Sequence, residues 1–546
     1  MKNISKILVL VAALLMASGA LHAEKYRGGT AVPRVQTRAA STCLPAANSN
    51  ELIVNNVRAY LETNGTMWFE EIAQYEVPYG SGKTSMFAAA LWIGGKDIND
   101  QLKLAAVRFR QRGDDFWTGP LTLNGASVTQ QTCSDYDRFY KITRAEVENH
   151  IANWQNSDYT MPNSIRDWPA HPYDLSAGQS YYLAPFFDYD EDGEYNPANG
   201  DYPYYDIDND LCPWTTANRA LAAAGQLPKT PEERMGISSG MVYADHVLKG
   251  DQTLYWIFND KGGPHTESQG DPIGLEIRAQ AFGFATNDEL NNMTFYSYEI
   301  INRSTYDLTQ TYFSQWVDPD LGYADDDYVG CDVARGLGYC YNGRNIDGQG
   351  LVQHYGAQPP AVGVDFFQGP YLDPDGYDNP SFDGAAEFGP TMRGASSNVC
   401  DIVEWNESLR PFSWDPDPDS EEEHAMIVDS MVLVRAEAIN GVNFGDGIVD
   451  NERFGMRRFV YHNNDNSVVG DPDVAFEYYN MLRGLWKDNL KMKYGANAHP
   501  QNGATGPDCD FMFPGLSDPC NWGTMGVDPN IAQYGANGWT ESAVGQ

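Results

Sequence analysis

The sequence predicts an all-β protein: one or two large β-sandwich-like domains with long loops and a few short helical insertions. Three observations lead there. Several segments alternate apolar and polar residues with the period of two that a half-buried strand requires. Long stretches rich in Gly, Pro, Asp and Asn separate those segments. The chain also carries 33 Tyr, 23 Phe and 13 Trp, far more rings than a solvated tail would hold.

The strands follow in order. Residues 104–110 set Val107 and Phe109 against Arg108 and Arg110. Residues 275–281 alternate Leu, Glu, Ile, Arg, Ala, Gln and Ala, and 294–301 and 309–317 are rich in β-branched and aromatic residues. Residues 426–439 read as one long strand or two. Long loops are expected over 186–214, 318–350 and 365–400. Helical spacing is rarer. Residues 143–154 place Val147, Ile151 and Trp154 on one side, 217–224 form an Ala-rich turn or two ended by Gly225, and 473–490 repeat Phe476, Tyr479, Leu482 and Trp486 as a core-packing stripe. No repeat of fixed period is present.

The N-terminus has the three zones of a secretory signal peptide. Lys2 and Lys6 open it, 7–16 is an unbroken apolar run, and Ala17 to Ala20 are small residues, with cleavage expected after Ala23. The run is too short for a span of ~20 residues, and no lipid-acceptor Cys ends it, which disfavours a membrane anchor. No later stretch reaches spanning length. The expected partition is a signal peptide over 1–23, a flexible lead-in over 24–48, and an N-terminal β-rich region over 49–260. A β-sandwich region over 261–470 and a helix plus Cys-containing loops over 471–546 follow. The expected location is extracellular or cell-surface, with the periplasm as fallback.

Charge excludes one class of partner. With 36 Lys and Arg against 75 Asp and Glu, the net charge is −39, and phosphate contact needs basic patches. Acidity of this kind suits divalent cations. Eight cysteines in an exported chain suggest disulfides. Cys331–Cys340 and Cys509–Cys520 are the expected pairs; Cys43, Cys133, Cys212 and Cys400 cannot be connected from sequence. No CxxC or Cys/His cluster points to zinc.

The strongest chemical motif is Asp188, Asp190 and Asp192 followed by Gly193 and Glu194. Calcium wants six to eight oxygens, and alternate carboxylates on one turning backbone can aim inward together. Glu194 would add its backbone carbonyl. An EF-hand has a bidentate Glu at the twelfth position; this chain has Asn199 there, and Asp201 is close enough to substitute. The predicted metal residues are therefore Asp188, Asp190, Asp192, Glu194 and Asp201, holding a structural Ca2+. The blander alternative is a solvated acidic turn. A second cluster, Asp318, Asp320, Asp325 and Asp327 with Asp326 and Asp332, is a weaker calcium candidate, because clustered carboxylates repel unless solvated or bridged. Residues 443–450 resemble half a calcium loop, but Val442 and Phe444 stand where ligands should. Residues 373–376 read as a turn.

Two motifs are decoys. Gly80 to Thr84 resembles the end of a phosphate-binding loop, but Val77 stands where the first Gly belongs, so a tight turn explains it. Gly236 to Gly240 matches a nucleophile-elbow string without the flanking strand and helix. No HExxH occurs, and His246 and His265 read as satisfied structural histidines. Among so many acids, no carboxylate pair of the glycosidase kind stands out.

Several segments resemble one another's counterparts in a known group. They are 79–83 leading to 90–95, 187–203, 256–260, 294–304, 318–322 and 446–455. Together they are similar to large uncharacterised exported proteins of Bacteroidota that usually carry a C-terminal type IX secretion sorting domain. The resemblance implies export through the outer membrane and display or release at the surface. It supplies no catalytic residues. This chain departs from the pattern by ending in polar sequence over 542–546 with no sorting domain, as a truncated C-terminus or a member without that domain would.

The function expected is that of a secreted or cell-surface, non-enzymatic, calcium-stabilised β-rich protein, with a task in adhesion or glycan binding. Glycans or other surface components are the expected partners, and nucleic acid is not. The alternative is a secreted polysaccharide hydrolase with a carboxylate pair.

Overall fold

The structure, a computed structural model, describes residues 43–70, 72–107, 113–190, 192–204, 248–372, 392–393, 404–405, 439–444 and 452–544. The signal peptide, the segments 217–224, 236–240 and 373–376, and nearly all of 426–439 and 443–450 lie outside the described residues.

Antiparallel strands dominate, so the all-β class holds. In chain order the strands begin β1 (Ser49–Ile53), β2 (Arg58–Glu62), β3 (Phe69–Glu70), β4 (Ile72–Ala73), β5 (Tyr75–Glu76), β6 (Thr84–Met86), β7 (Ala88–Lys96) and β8 (Leu102–Ala105). Next come β9 (Trp117–Thr118), β10 (Tyr140–Thr143), β11 (Phe186–Phe187), β12 (Tyr202–Pro203), β13 (Gln252–Asn259), β14 (Leu275–Gly283), β15 (Phe295–Asn302) and β16 (Thr309–Asp318). Then follow β17 (Asp327–Asp332), β18 (Leu337–Asn342), β19 (Ile346–Asp347), β20 (Gly356–Ala357) and β21 (Ala361–Asp365).

Two layers enclose the main core. One has the order β1-β2-β5-β6, tied through bridges of Met67 to Leu61 and Ala89 to the order β16-β7-β8. The other has the order β10-β13-β14-β15, with β9 also on β13. The period of two explains how β13 serves two cores. Leu254, Trp256 and Phe258 enter the main core, while Tyr255 and Ile257 enter a second one. In β14 the apolar set Leu275, Ile277, Ala279 and Ala281 enters the main core. Its polar face is also buried: Glu276 receives Arg278 at 2.8 Å and Arg303 at 3.1 Å. The main core takes residues from 52–107, 254–281, 316 and 478–482, so the first and last thirds of the chain share it.

Helices are short. Thr143 caps Arg144–Asn153 in a reciprocal box with Glu146. Val147 and His150 face inward, whereas Ile151 is exposed, so the expected apolar side is only partly realised. The expected helix over 473–490 shrinks to Ala475–Leu482, where Gly484 at φ 69° turns the chain. Tyr478, Tyr479, Met481 and Leu482 pack inward, Phe476 is exposed, and Trp486 is buried beyond the helix.

Other expectations are corrected. The stretch 318–350 is not one long loop, because it contains the β17–β18 pair. Residues 43–48 are not a flexible lead-in: Cys43 is bonded to Cys133, with Cα atoms 5.9 Å apart, and Ala47 N–H donates to Asp137 at 3.0 Å. The pairs Cys331–Cys340 and Cys509–Cys520 do not form. Register sets Cys331 opposite Gly338 and Cys340 opposite Val329. The two cysteines are thus diagonal neighbours, roughly 7–8 Å apart, beyond the usual reach of a disulfide. Cys331, Cys340 and Cys509 are buried free thiols, whereas Cys520 is disulfide-bonded. The glycines at 80–84 do make a tight turn, between β5 and β6.

His265 is a buried structural histidine, as expected, and its carboxylate neighbours are Asp115 and Asp260. Its ring nitrogens lie 2.6 Å from Leu104 O and 2.7 Å from Asp260 O. The two carboxylates stand at 3.7 and 3.8 Å.

Candidate metal centre

The ribbon of β11 and β12 builds this site. Phe187 and Tyr202 pair across it with rings stacked 4.8 Å apart, and Phe186 is anchored in the second core. The ribbon zips the two ends of the loop together. Asp188 therefore leaves β11 beside Asp201, which enters β12.

The loop is then shaped by its own carboxylates. Asp188 accepts the N–H groups of Asp192 at 3.2 Å and Gly193 at 2.7 Å. Asp201 accepts those of Tyr189 at 2.8 Å and Asn196 at 2.6 Å. Each acid at one end thus fastens the middle of the loop. The turn needs Gly193 at φ 82°. Gly200, at φ 113°, passes so close to Tyr189 and Trp154 that a Cβ there would come within 3.0 Å of both rings. His171 closes the outer side. Its Nε2 accepts Tyr195 N–H at 3.0 Å, so its Nδ1 carries the hydrogen that goes to Tyr181 O at 2.8 Å.

Asp188, Asp190 and Asp201 converge, with one oxygen of each within 4.8 Å of the others. Asp188 and Asp201 are buried and Asp190 is exposed. Asn199 holds Asp190 at 2.9 Å. Burial pushes the Asp201 carboxyl up to about 6; Asp188 and Asp190 push it the same way, and the two N–H bonds oppose them. At roughly 4.8 Å and an effective dielectric of ~20, each ionised pair repels by about 3 kcal/mol. A proton on Asp201 or a bound cation relieves that repulsion. The donors are all hard oxygens, with no imidazole or thiolate, which fits calcium chemistry.

The carboxylates of Asp192 and Glu194, the latter predicted to ligate through its backbone carbonyl, do not join this group. Asp192 receives Glu194 N–H at 2.8 Å, and the Glu194 carboxylate is hydrogen-bonded to Tyr181. Asp318, Asp320, Asp325 and Asp327 do not converge as ligands among the described residues. Asp325 is exposed and takes Tyr323 O–H at 2.7 Å. Asp327 receives Leu321 N–H at 2.8 Å, and burial pushes its carboxyl up to about 8. Sequence reasoning gave no separate role to Asp326 and Asp347, the buried acids of that region. Asp326 accepts Asn342 Nδ2 at 2.6 Å and Gly348 N–H at 3.1 Å. Asp347 accepts Tyr323 N–H at 3.0 Å and Tyr355 N–H. The Asp-Gly step at 347–348 was the one signal that could have marked the second of them.

Comparison with protein-family models, characterised proteins and solved structures finds no match.

Proposed function

We propose that this is an exported, calcium-stabilised β protein of the cell surface or surroundings that acts by binding rather than by catalysis. The observation that carries the reading is the convergence of Asp188, Asp190 and Asp201 in a loop closed by β11 and β12. Calcium held there would neutralise the three carboxylates and fix a loop that is otherwise costly in conformational entropy. The disulfide Cys43–Cys133 supports an oxidising compartment, as do the leader sequence and the resemblance to exported proteins of Bacteroidota.

Thermal unfolding of the mature chain in calcium and in EDTA tests the calcium reading. Calcium at about a hundred times its Kd should add about 2.7 kcal/mol, a rise of several degrees in Tm. An unchanged Tm would count against it. Fractionation of the producing cells tests export separately: protein retained in the cytoplasm would overturn that part.

A further inference from the structure

We propose that the outer face of the β17–β18–β21 sheet is a platform for a neutral oligosaccharide, with Tyr328, Tyr339 and Tyr341 as its stacking surfaces. The inference rests on the binding reading above and names the ligand class and the place.

Alternation separates the two faces of this sheet. Cys331 and Cys340 are buried, and Val362 and Val364 pack against the main core. The three tyrosines therefore take the opposite face, where all are half-buried. Register sets Tyr328 opposite Tyr341 and Tyr339 opposite Gly330 and Gly363. Ring centroids stand 5.9 Å apart for Tyr328 and Tyr341, and 6.0 Å for Tyr339 and Tyr341.

The glycines decide how the rings lie. A Cβ on Gly330 would come within 2.7 Å of the Tyr339 ring, and one on Gly343 within 2.3 Å of the Tyr328 ring. These rings therefore lie over bare backbone, and the Tyr328 and Tyr339 rings tilt by 42° and 44° to the Tyr341 ring. A pyranose offers a matching surface, an apolar C–H face rimmed by hydroxyls.

The rim is supplied as well. Two shallow, open grooves meet at Tyr341. Their hydrogen-bonding groups are mostly uncharged: Asn537, Thr540 and Ser542 in the first, and Asn345 and Gln358 in the second, while Ser517 and Asn342 are held by bonds within the fold. The charged members are Asp332 in the first and Arg344 in the second. A net charge of −39 repels polyanions, so the ligand class is neutral sugar rather than acidic polysaccharide. Because the grooves adjoin, a chain of several sugars can lie across Tyr341 and enter both.

The test is calorimetric titration of the mature chain with neutral hexasaccharides: β-1,4-glucan, xylan, mannan and α-1,4-glucan series. At least one should bind with Kd below about 1 mM. Tyr339→Ala and Tyr341→Ala should each weaken it about tenfold, while Tyr341→Phe keeps the ring and stays within about threefold. Melting temperatures of the variants report whether the sheet is intact. No binding by any series overturns the platform, as does undiminished binding by a folded double Ala variant, or binding of decaproline alone. Cleavage of a bound hexasaccharide would instead overturn the non-catalytic reading and leave the platform standing.

Discussion

Asp260→Ala should be among the most damaging single changes in the chain. The Asp260 carboxylate is fully buried and accepts three backbone N–H groups: Ile273 at 2.5 Å, Gly274 at 2.8 Å and Leu275 at 2.6 Å. It also stands 3.8 Å from the His265 ring, which Asp115 flanks on the other side. Truncation leaves three buried donors without an acceptor, at about 1–3 kcal/mol for each that water cannot reach. Summed over three donors that partly relax, the expected loss is about 4 kcal/mol or more, against a typical total stability of about 5–15 kcal/mol. Asp260→Asn should cost less, about 2 kcal/mol, because one oxygen remains to accept. The control is Asp100→Ala. Its partner Lys96 lies at a shorter 2.7 Å, yet the Asp100 side chain is 79% exposed, and such pairs contribute at most about 1 kcal/mol. Urea unfolding followed by fluorescence measures all three variants. If Asp260→Ala loses less than about 1 kcal/mol, or no more than Asp100→Ala, the argument from buried donors is refuted.

Other perturbations separate further parts of the structure. Gly200→Ala forces a Cβ onto Tyr189 and Trp154 at a positive φ and should lower stability by about 1–3 kcal/mol; a normal melting curve would refute the crowding. Burial raises the Asp327 carboxyl to about 8 and that of Glu541 to about 7. Groups raised on folding stabilise below their unfolded pKa and lose that contribution as pH rises through the folded value. Melting temperature should therefore fall from about pH 5 to about pH 9, less steeply in Asp327→Asn; an equal slope in that variant would sink the assignment. Burial likewise raises the thiols of Cys331, Cys340 and Cys509. Iodoacetamide should leave them unmodified in the native protein and label them in urea, while peptide mapping recovers Cys43 joined to Cys133.

The class was legible because strands with one dominant partner face announce themselves: β14, β15 and β16 lie where alternation put them. What alternation could not show is that β14 buries its polar face too, since that depends on Arg303, just past the end of β15, reaching Glu276. β17 and β18 were hidden by Gly330 and Gly338, which read locally as loop but here sit against the rings of Tyr339 and Phe459. The Cys331–Cys340 pairing failed on strand register, a nonlocal property that short spacing does not show. At the candidate metal centre, the spacing gave Asp188, Asp190 and Asp201. It could not tell that Asp192 would turn back to hold the Glu194 N–H.

Two acidic loops of similar composition have different fates, and the β11–β12 ribbon accounts for it. Around 320–347, Asp326, Asp327 and Asp347 accept N–H or amide donors, Asp325 takes a tyrosine hydroxyl, and among the described residues no three converge. In the loop after β11, the ribbon brings both ends together, and Asp188 and Asp201 are structural as well as convergent. Asp190 differs from them: it is exposed, and its hydrogen bond there is to the Asn199 side chain rather than to the backbone. Asp190→Asn should therefore separate the two roles. Without calcium its melting temperature should equal or exceed that of the parent chain, because Asp190 anchors no backbone N–H and neutralising it removes its repulsion with Asp188 and Asp201. With calcium most of the added stability should vanish, since a charged ligand oxygen is lost. Asp188→Asn and Asp201→Asn should lower the melting temperature in EDTA as well, because each loses an acceptor for a loop N–H. If Asp190→Asn keeps the full calcium response, the three carboxylates are a hydrogen-bonded turn and not a cation site.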